Sequence, residues 1–282
     1  MFYIIGVIAL GIGILMIYLR KKNEDKIFLI KKTETKKAND LQTLCAEIAS
    51  EIGAGSFNEI TEVTGIIKTN NPIQSELANR ECVHYSFRVI REWEEEYYTT
   101  DQQGNRIQQT RRGSDTVSSN SRSTNFHIED NTGQIEINPN GADIESIKVL
   151  DDFRPGGDDR GGSLSFGGLS FNVPSLGSGR RTLGYRYEEY ILPTNVRAFV
   201  LGEATDSSGQ LMVQQPKEED DDEVRRFLIS TKSEAEILKA AASKSKMFFI
   251  ISIIAFVAAV GFIIYGILYK GDSFALLKSL LQ

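Results

Sequence analysis

The residues that could do metal or nucleophilic chemistry are few: two cysteines, Cys45 and Cys82, and two histidines, His84 and His127. One tetrahedral zinc site uses about four such ligands, typically in close pairs. Only Cys82-x-His84 is a close pair, and strand alternation predicts both side chains on one face, roughly 6–7 Å apart. That is beyond hydrogen-bond reach, and no third group is placed to orient the imidazole, so a Cys–His nucleophile is not expected. Cys82 is expected to pack, and His84 to lie at a surface or interface. His127 beside Glu129 and Asp130 reads as turn chemistry. The glycines within 156–168 are followed by no Gly-Lys-Ser/Thr and sit in no strand–loop–helix frame, which argues against a phosphate loop. The acidic run 218–223 (EEDDDE) lacks the alternating ligands and mid-loop glycine of a calcium loop, and reads as a solvated loop. The sequence therefore predicts no catalytic, cofactor-binding or metal-ligating residue, and no cofactor.

The elements around these residues divide sharply by hydropathy. Residues 2–19 carry no charge and end at Arg20-Lys21-Lys22. As a helix they cover about 27 Å, just enough for a hydrocarbon core of about 30 Å. Residues 247–269 are a second uncharged run, covering about 35 Å, with tyrosines at the ends of both runs. The first run has neither the basic n-region nor the small-residue exit of a cleaved signal, so it reads as a retained anchor. The second has no polar face, which argues against a buried core helix. Both are expected to be transmembrane helices. Basic residues crowd the inner flanks: eight between 20 and 40, and four just before the second run. The positive-inside rule then predicts the central segment on the cytoplasmic side and both termini across the membrane. Those flanks can also meet anionic lipid headgroups. A net charge of −6 excludes a nucleic-acid surface, and two cysteines are too few for a disulfide framework.

Between the runs, apolar residues at helical spacing predict an amphipathic helix over 39–52, inside a basic juxtamembrane stretch 20–55. The rest, 56–230, reads as strands. Residues 60–68, 81–99, 106–112, 124–128, 134–137, 144–150, 184–192, 196–201, 210–213 and 227–229 alternate or run apolar, separated by turn clusters such as Asp101-Gln102-Gln103-Gly104-Asn105. Glu94, Glu95 and Glu96 are expected to face Arg106, Arg111 and Arg112 across the hairpin over that turn. The strand over 106–112 is followed by a Ser-rich stretch, 113–123, that is assigned no element, and the Gly/Ser-rich stretch 154–180 is expected to be a flexible insertion loop. A helix over 233–246 leads into the second span, and the tail 270–282 suits an interfacial segment. The expected fold is α+β: a mainly antiparallel β domain, either a small barrel or a pair of packed sheets, flanked by two transmembrane α-helices.

Specific residues add to this layout. They are Val63-x-Gly65, Ser75-Glu76-Leu77, Cys82-Val83, Ile128-x-Asp130-x-Thr132-Gly133-x-Ile135-x-Ile137-x-Pro139-x-Gly141-Ala142, Glu188-Glu189-Tyr190-Ile191-Leu192-Pro193 and Val200-Leu201-Gly202-Glu203. In that order, between two spans, they resemble the GIDE or beside-a-membrane (BAM) domain of membrane-anchored E3 ubiquitin ligases. The resemblance implies a ligase-type function, which in active members resides in a RING following the second span. Here residues 271–282 contain no Cys or His, so the expectation is a RING-less relative. That relative would be a membrane-anchored, non-catalytic binding or scaffold module with an unidentified protein partner. An E3 ubiquitin transferase and a lipid-binding domain are the alternatives.

Overall fold

The computed structural model describes residues 2–101, 103–157, 161–175, 179–217 and 226–280; side chains of 2–3 and 267–280 lie outside this description. The acidic run 218–223 falls outside the described residues. The described residues divide into two compact units: those of 2–34 and 233–280 form one, and those of 35–217 and 226–232 form the other.

The first unit is a helix pair. Helix α1 (Phe2–Lys32) and the last helix, α3 (Glu234–Leu280), are 31 and 47 residues long. Both contain stretches long and apolar enough to cross a membrane, within Ile4–Lys32 and Glu234–Gly266. The 18-residue windows are only 11% and 17% buried, so these are not the core helices of a globular unit. Small residues line their contact, as expected where lipid removes the hydrophobic drive for association and close packing must supply it. Ala259 and Ser252 are buried, and a Cβ on Gly6 would stand 3.0 Å from Ile263 and 3.3 Å from the Ala259 carbonyl. A Cβ on Gly13 would meet the Phe256 ring at 3.1 Å. Beyond the apolar stretch of α1, Asn23 donates to the Ala241 carbonyl (2.5 Å) and to Ser245 Oγ (2.9 Å). The basic flank 20–32 is thus helical rather than a separate segment, and α3 runs unbroken through the stretches expected as juxtamembrane helix, span and tail. The side chains of that tail lie outside the described residues.

The second unit contains α2 (Ala38–Ile52) and fourteen described strands. Five of them close a barrel: β1 (Asn58–Lys68), β5 (Phe126–Glu129), β6 (Gln134–Ile137), β12 (Arg197–Thr205) and β13 (Met212–Gln214). Neighbours run β1-β5-β6-β13-β12 and back to β1, all antiparallel except β6 with β13. That order, with its single parallel pair, is the strand connectivity of an OB-type barrel. The interior is filled by Val63, Ile67, Phe126, Ile128, Ile135, Ile137, Val200, Ala204 and Val213, all nearly inaccessible, and Leu41, Leu44, Cys45 and Ile48 of α2 pack against this core. Two short strands, β7 (Asp143–Glu145) and β14 (Leu228–Ser230), extend the sheet beyond β12.

The chain between β1 and β5, and that between β6 and β12, build a second sheet in the order β2-β3-β11-β8, with β4 also on β3. Its strands are β2 (Ile73–Gln74), β3 (Glu81–Thr100), β4 (Arg106–Ser123), β8 (Ile147–Pro155) and β11 (Arg180–Pro193). Tyr85, Phe87, Val89, Tyr185 and Tyr187 form its apolar face.

Two sequence expectations change here. The stretch 154–180 is not a plain loop: β9 (Gly162–Phe166) and β10 (Leu169–Val173) form a hairpin around Gly167-Gly168, both at positive φ (58° and 87°). Phe166, Phe171 and Val173 alternate onto one side and cover the apolar face, Phe166 stacking on Tyr187 at 4.0 Å and Phe171 meeting Phe87 edge-on at 5.8 Å. Glycine and serine between these residues hid the alternation; burial of three large side chains orders the hairpin. The Ser-rich stretch 113–123 is the second half of β4, paired with β3 at every residue except the bulged Val117. It can be polar because β4 buries no residue of its own.

The charged ladder forms in part as expected. Glu94 faces Arg112 and Glu95 faces Arg111, but Arg181 and Arg180 of β11 approach the same two carboxylates from the other side. Glu96 instead accepts from Gln108, and Arg106 lies over the Tyr98 ring at 4.1 Å.

Candidate functional site

The one close pair of chemically competent side chains is taken apart by the backbone. Opposite β11, Leu192 pairs with His84 and Pro193 with Cys82, so Val83 is an extra residue in β3, a β-bulge. The bulge breaks the alternation that would have put Cys82 and His84 together. Cys82 packs with Tyr85 and Phe87, and Val83 turns into the barrel core. Burial, then the neighbouring Glu189 charge, push the Cys82 thiol up to about 11, far from a reactive thiolate. His84 shares a 2.8 Å hydrogen bond between Nδ1 and Ser123 Oγ, and burial pushes its pKa down. Cys45 lies on α2, and its thiol is pushed up by burial and by Asp206. His127 sits on β5 opposite Glu136. Among the described residues, no group of three or more His, Cys, Asp or Glu is arranged to hold a metal ion.

The carboxylates in the sequence motifs have structural partners that the sequence did not reveal. Asp130, in the β5–β6 turn, accepts hydrogen bonds from the Thr132 amide (2.7 Å), the Thr132 hydroxyl (2.7 Å) and the Gly133 amide (3.0 Å). Its other oxygen accepts from the Ala38 amide (2.8 Å), the first residue of α2, while Thr132 Oγ1 takes the Asn39 amide (3.2 Å). The residue preceding α2, Lys37, makes no side-chain cap, so the helix is capped by a turn far along the chain. Asp206, in the β12–β13 turn, accepts from the Gly55 amide (2.8 Å) and the Phe57 amide (3.0 Å), fixing the link from the end of α2 to β1. Glu189 is fully buried and accepts from Ser75 Oγ (2.8 Å), the Leu77 amide (2.8 Å) and the Ala78 amide (2.6 Å), fixing the turn before β3. Glu203, also buried, accepts from the Lys217 amide at 2.8 Å. The signal for these roles was the Asp-x-Thr-Gly turn pattern, but nothing in it points to a partner 92 residues away.

This clamp on α2 carries a pH dependence. Burial opposes ionisation of Asp130, but its hydrogen bonds outweigh burial and hold the carboxyl below the usual range; the Gly55 amide leads in doing the same for Asp206. Lowered folded pKa values stabilise the fold fully above about pH 4 and lose that contribution as pH falls through the folded values. Hydrogen exchange over residues 38–52, corrected for intrinsic rate, is therefore expected to stay flat from pH 7 to about 4.5 and to rise below about 4. The Asp130→Ala variant, without its cap, should show raised exchange across that whole range and a loss of about 1 kcal/mol. Exchange over 38–52 unchanged by the substitution would contradict the clamp.

Beside the clamp, an open groove of about 500 Å³ runs along the barrel where β1 passes from β12 to β5. Lys37, Thr64, Asn131 and Arg197 line it, and the Thr35–Lys37 segment forms one wall by a parallel bridge from Thr35 to Glu62. Lys37 and Arg197 are exposed, and Lys36 is held by Glu59. The groove is polar, and its lining residues include no Cys, His or Ser.

A helix pair of membrane-spanning length joined to a β-barrel that carries an inserted second sheet defines a membrane protein with one β unit. The particular family follows from comparison: residues 94–264 match the family model described as "GIDE: E3 Ubiquitin ligase". That is more than half of the chain, and the protein belongs to the GIDE family. No curated protein and no solved structure matches it.

Proposed function

We propose that the protein is a non-catalytic, membrane-tethered binding or scaffold module, its β unit on the cytoplasmic side and its termini across the membrane. One observation carries this reading: the motif carboxylates Asp130 and Glu189 spend their hydrogen-bonding capacity inside the fold, and Cys82 and His84 are not assembled. What the unit offers a partner is the groove at Lys37 and Arg197 and an open sheet edge. The family's description favours a second reading, ubiquitin transfer. A RING's two zinc sites use about eight Cys and His ligands, and these 282 residues contain two of each.

The full chain in detergent, incubated with ubiquitin, activating and conjugating enzymes and ATP, is expected to form no ubiquitin conjugate and to carry well under one equivalent of zinc. Transfer that disappears in Cys82→Ser or His84→Ala would overturn the non-catalytic reading. The orientation rests on the basic flanks at 20–37 and 232–246. In sealed vesicles with the cytoplasmic face inside, Gln103→Cys in a Cys45→Ser background should resist an impermeant maleimide until detergent is added. A cysteine appended after Gln282 should react at once. The reverse pattern would invert the topology.

A further inference from the structure

Strand β4 is bonded on one side only. Among the described residues it pairs with β3 and with no other strand. Over Arg106–Thr116 its residues are exposed or half-exposed, and the stretch contains no proline. The register irregularity in the β3–β4 pair lies beyond it, where Val117 is the extra residue and packs toward the hairpin-covered face. Half of its main-chain N–H and C=O groups thus point away from β3, a template for another extended strand. Proteins commonly blunt such an edge with charged side chains, lysine above all, or with proline or a bulge, so a partner strand here must match the charges. This stretch has arginines and one aspartate, and their spacing is informative.

We infer that the β4 edge is a homotypic interface, pairing antiparallel with β4 of a second copy about a two-fold axis at Gly113. An antiparallel pair with a perpendicular two-fold axis must place some residue opposite itself, which limits the registers. Centring on Arg111, Arg112 or Asp115 sets a charge against its own copy, and centring on Ser114 sets Arg106 against Arg122. Centring on Gly113 sets Arg111 against Asp115 of the partner, and Asp115 against the partner's Arg111. Thr110 then meets Thr116, Arg112 meets Ser114, and no like charges oppose. Within its own sheet Asp115 already lies 3.6 Å from the buried Arg91, and Arg111 donates to Glu95, so the cross-copy pairs would join two existing ion pairs into one row rather than satisfy free charges. The inference deepens the scaffold reading by naming the occupant of the open edge, and it can fail while that reading stands.

The test is oxidative cross-linking of the full chain in detergent, in a Cys45→Ser background with Cys82 left buried. Arg111→Cys with Asp115→Cys should give a disulfide dimer on copper phenanthroline treatment. Arg111→Cys with Ser119→Cys, which reports the register centred on Asp115, should stay monomeric, as should either single variant of the first pair. Without oxidant, Arg111→Asp or Asp115→Arg should each weaken dimerisation roughly 2- to 30-fold, the range for two opposite-charge cross-strand pairs, and combining them should restore it. Monomer at every concentration, a dimer whose 111–115 pair does not cross-link, or no restoration in the combined variant would each overturn the proposal. Loss of dimer with no change in partner capture from native membranes would leave the scaffold reading intact and separate the two.

Discussion

Replacing Gly65 by alanine, the smallest change that adds a Cβ, is expected to open the barrel. That Cβ would stand 2.3 Å from the Glu129 carbonyl oxygen and 2.7 Å from Ile128 Cγ2. The nearest atom is backbone, so no side chain can rotate out of the way; the strand itself must shift. It cannot do so cheaply, because the next residues of β1, Ile66, Ile67 and Lys68, pair with Glu129, Ile128 and His127, and this short contact closes the barrel between β1 and β5. Overpacking in a filled core costs about 1–3 kcal/mol, and a displaced strand adds to it. At roughly 2–4 °C per kcal/mol for a domain of about 150–250 residues, the melting temperature should fall by about 5–10 °C or more. Trp93 lies on β3 of the second sheet, so a melt followed by its fluorescence should be paired with far-UV circular dichroism. A Gly65→Ala protein melting within a degree or two of the parent would contradict the close approach.

The second large effect belongs to Glu189. With alanine there, three donors lose their acceptor at once, the buried Ser75 Oγ and Leu77 amide and the half-buried Ala78 amide. Each unsatisfied buried donor costs about 1–3 kcal/mol, so a loss of about 3–6 kcal/mol is expected. Glutamine restores one acceptor oxygen but points an NH₂ at donors, so Glu189→Gln should fall between the parent and alanine. The readout is the urea midpoint with an unchanged slope, together with faster amide exchange at Leu77 and Ala78. If Glu189→Ala shifts stability by less than about 0.5 kcal/mol, the buried carboxylate does not organise this turn. Substitutions of the exposed Arg111 or Arg112 should cost far less, because exposed ion pairs contribute about 0–1 kcal/mol.

Both predictions concern residues in the recognisable motifs, Val63-x-Gly65 and Glu188-Glu189, and both effects are on folding. The same holds for Asp130 in Ile128-x-Asp130-x-Thr132-Gly133, which caps a helix. In this chain these motif residues record how two insertions and a helix are fastened to a small barrel. This supports the proposed scaffold reading, in which the groove beside α2 and the edge of β4 are the surfaces offered to a partner.

The amino-acid sequence by itself determined what depends on local hydropathy and local turn chemistry. Two uncharged runs make membrane-spanning helices because a lipid core tolerates little else, and alternation made β1, β3 and β11 legible as strands. The expected α+β class with a barrel or packed sheets appears as both, since the chain builds a barrel and a second sheet from its insertions. Tertiary structure alone decided the rest. It turned 162–173 from apparent loop into hairpin, because three buried side chains outweigh a Gly/Ser-rich composition only where an aromatic face lies beneath them. It kept 113–123 in a strand, because an edge strand draws its order from its neighbour's backbone and not from its own side chains. It separated Cys82 from His84, because one extra residue in a strand reverses the side-chain alternation. And it gave Asp130 and Glu189 their partners, because those hydrogen bonds join segments 92 and 111–114 residues apart, brought together only when the barrel closes and the second sheet folds over it.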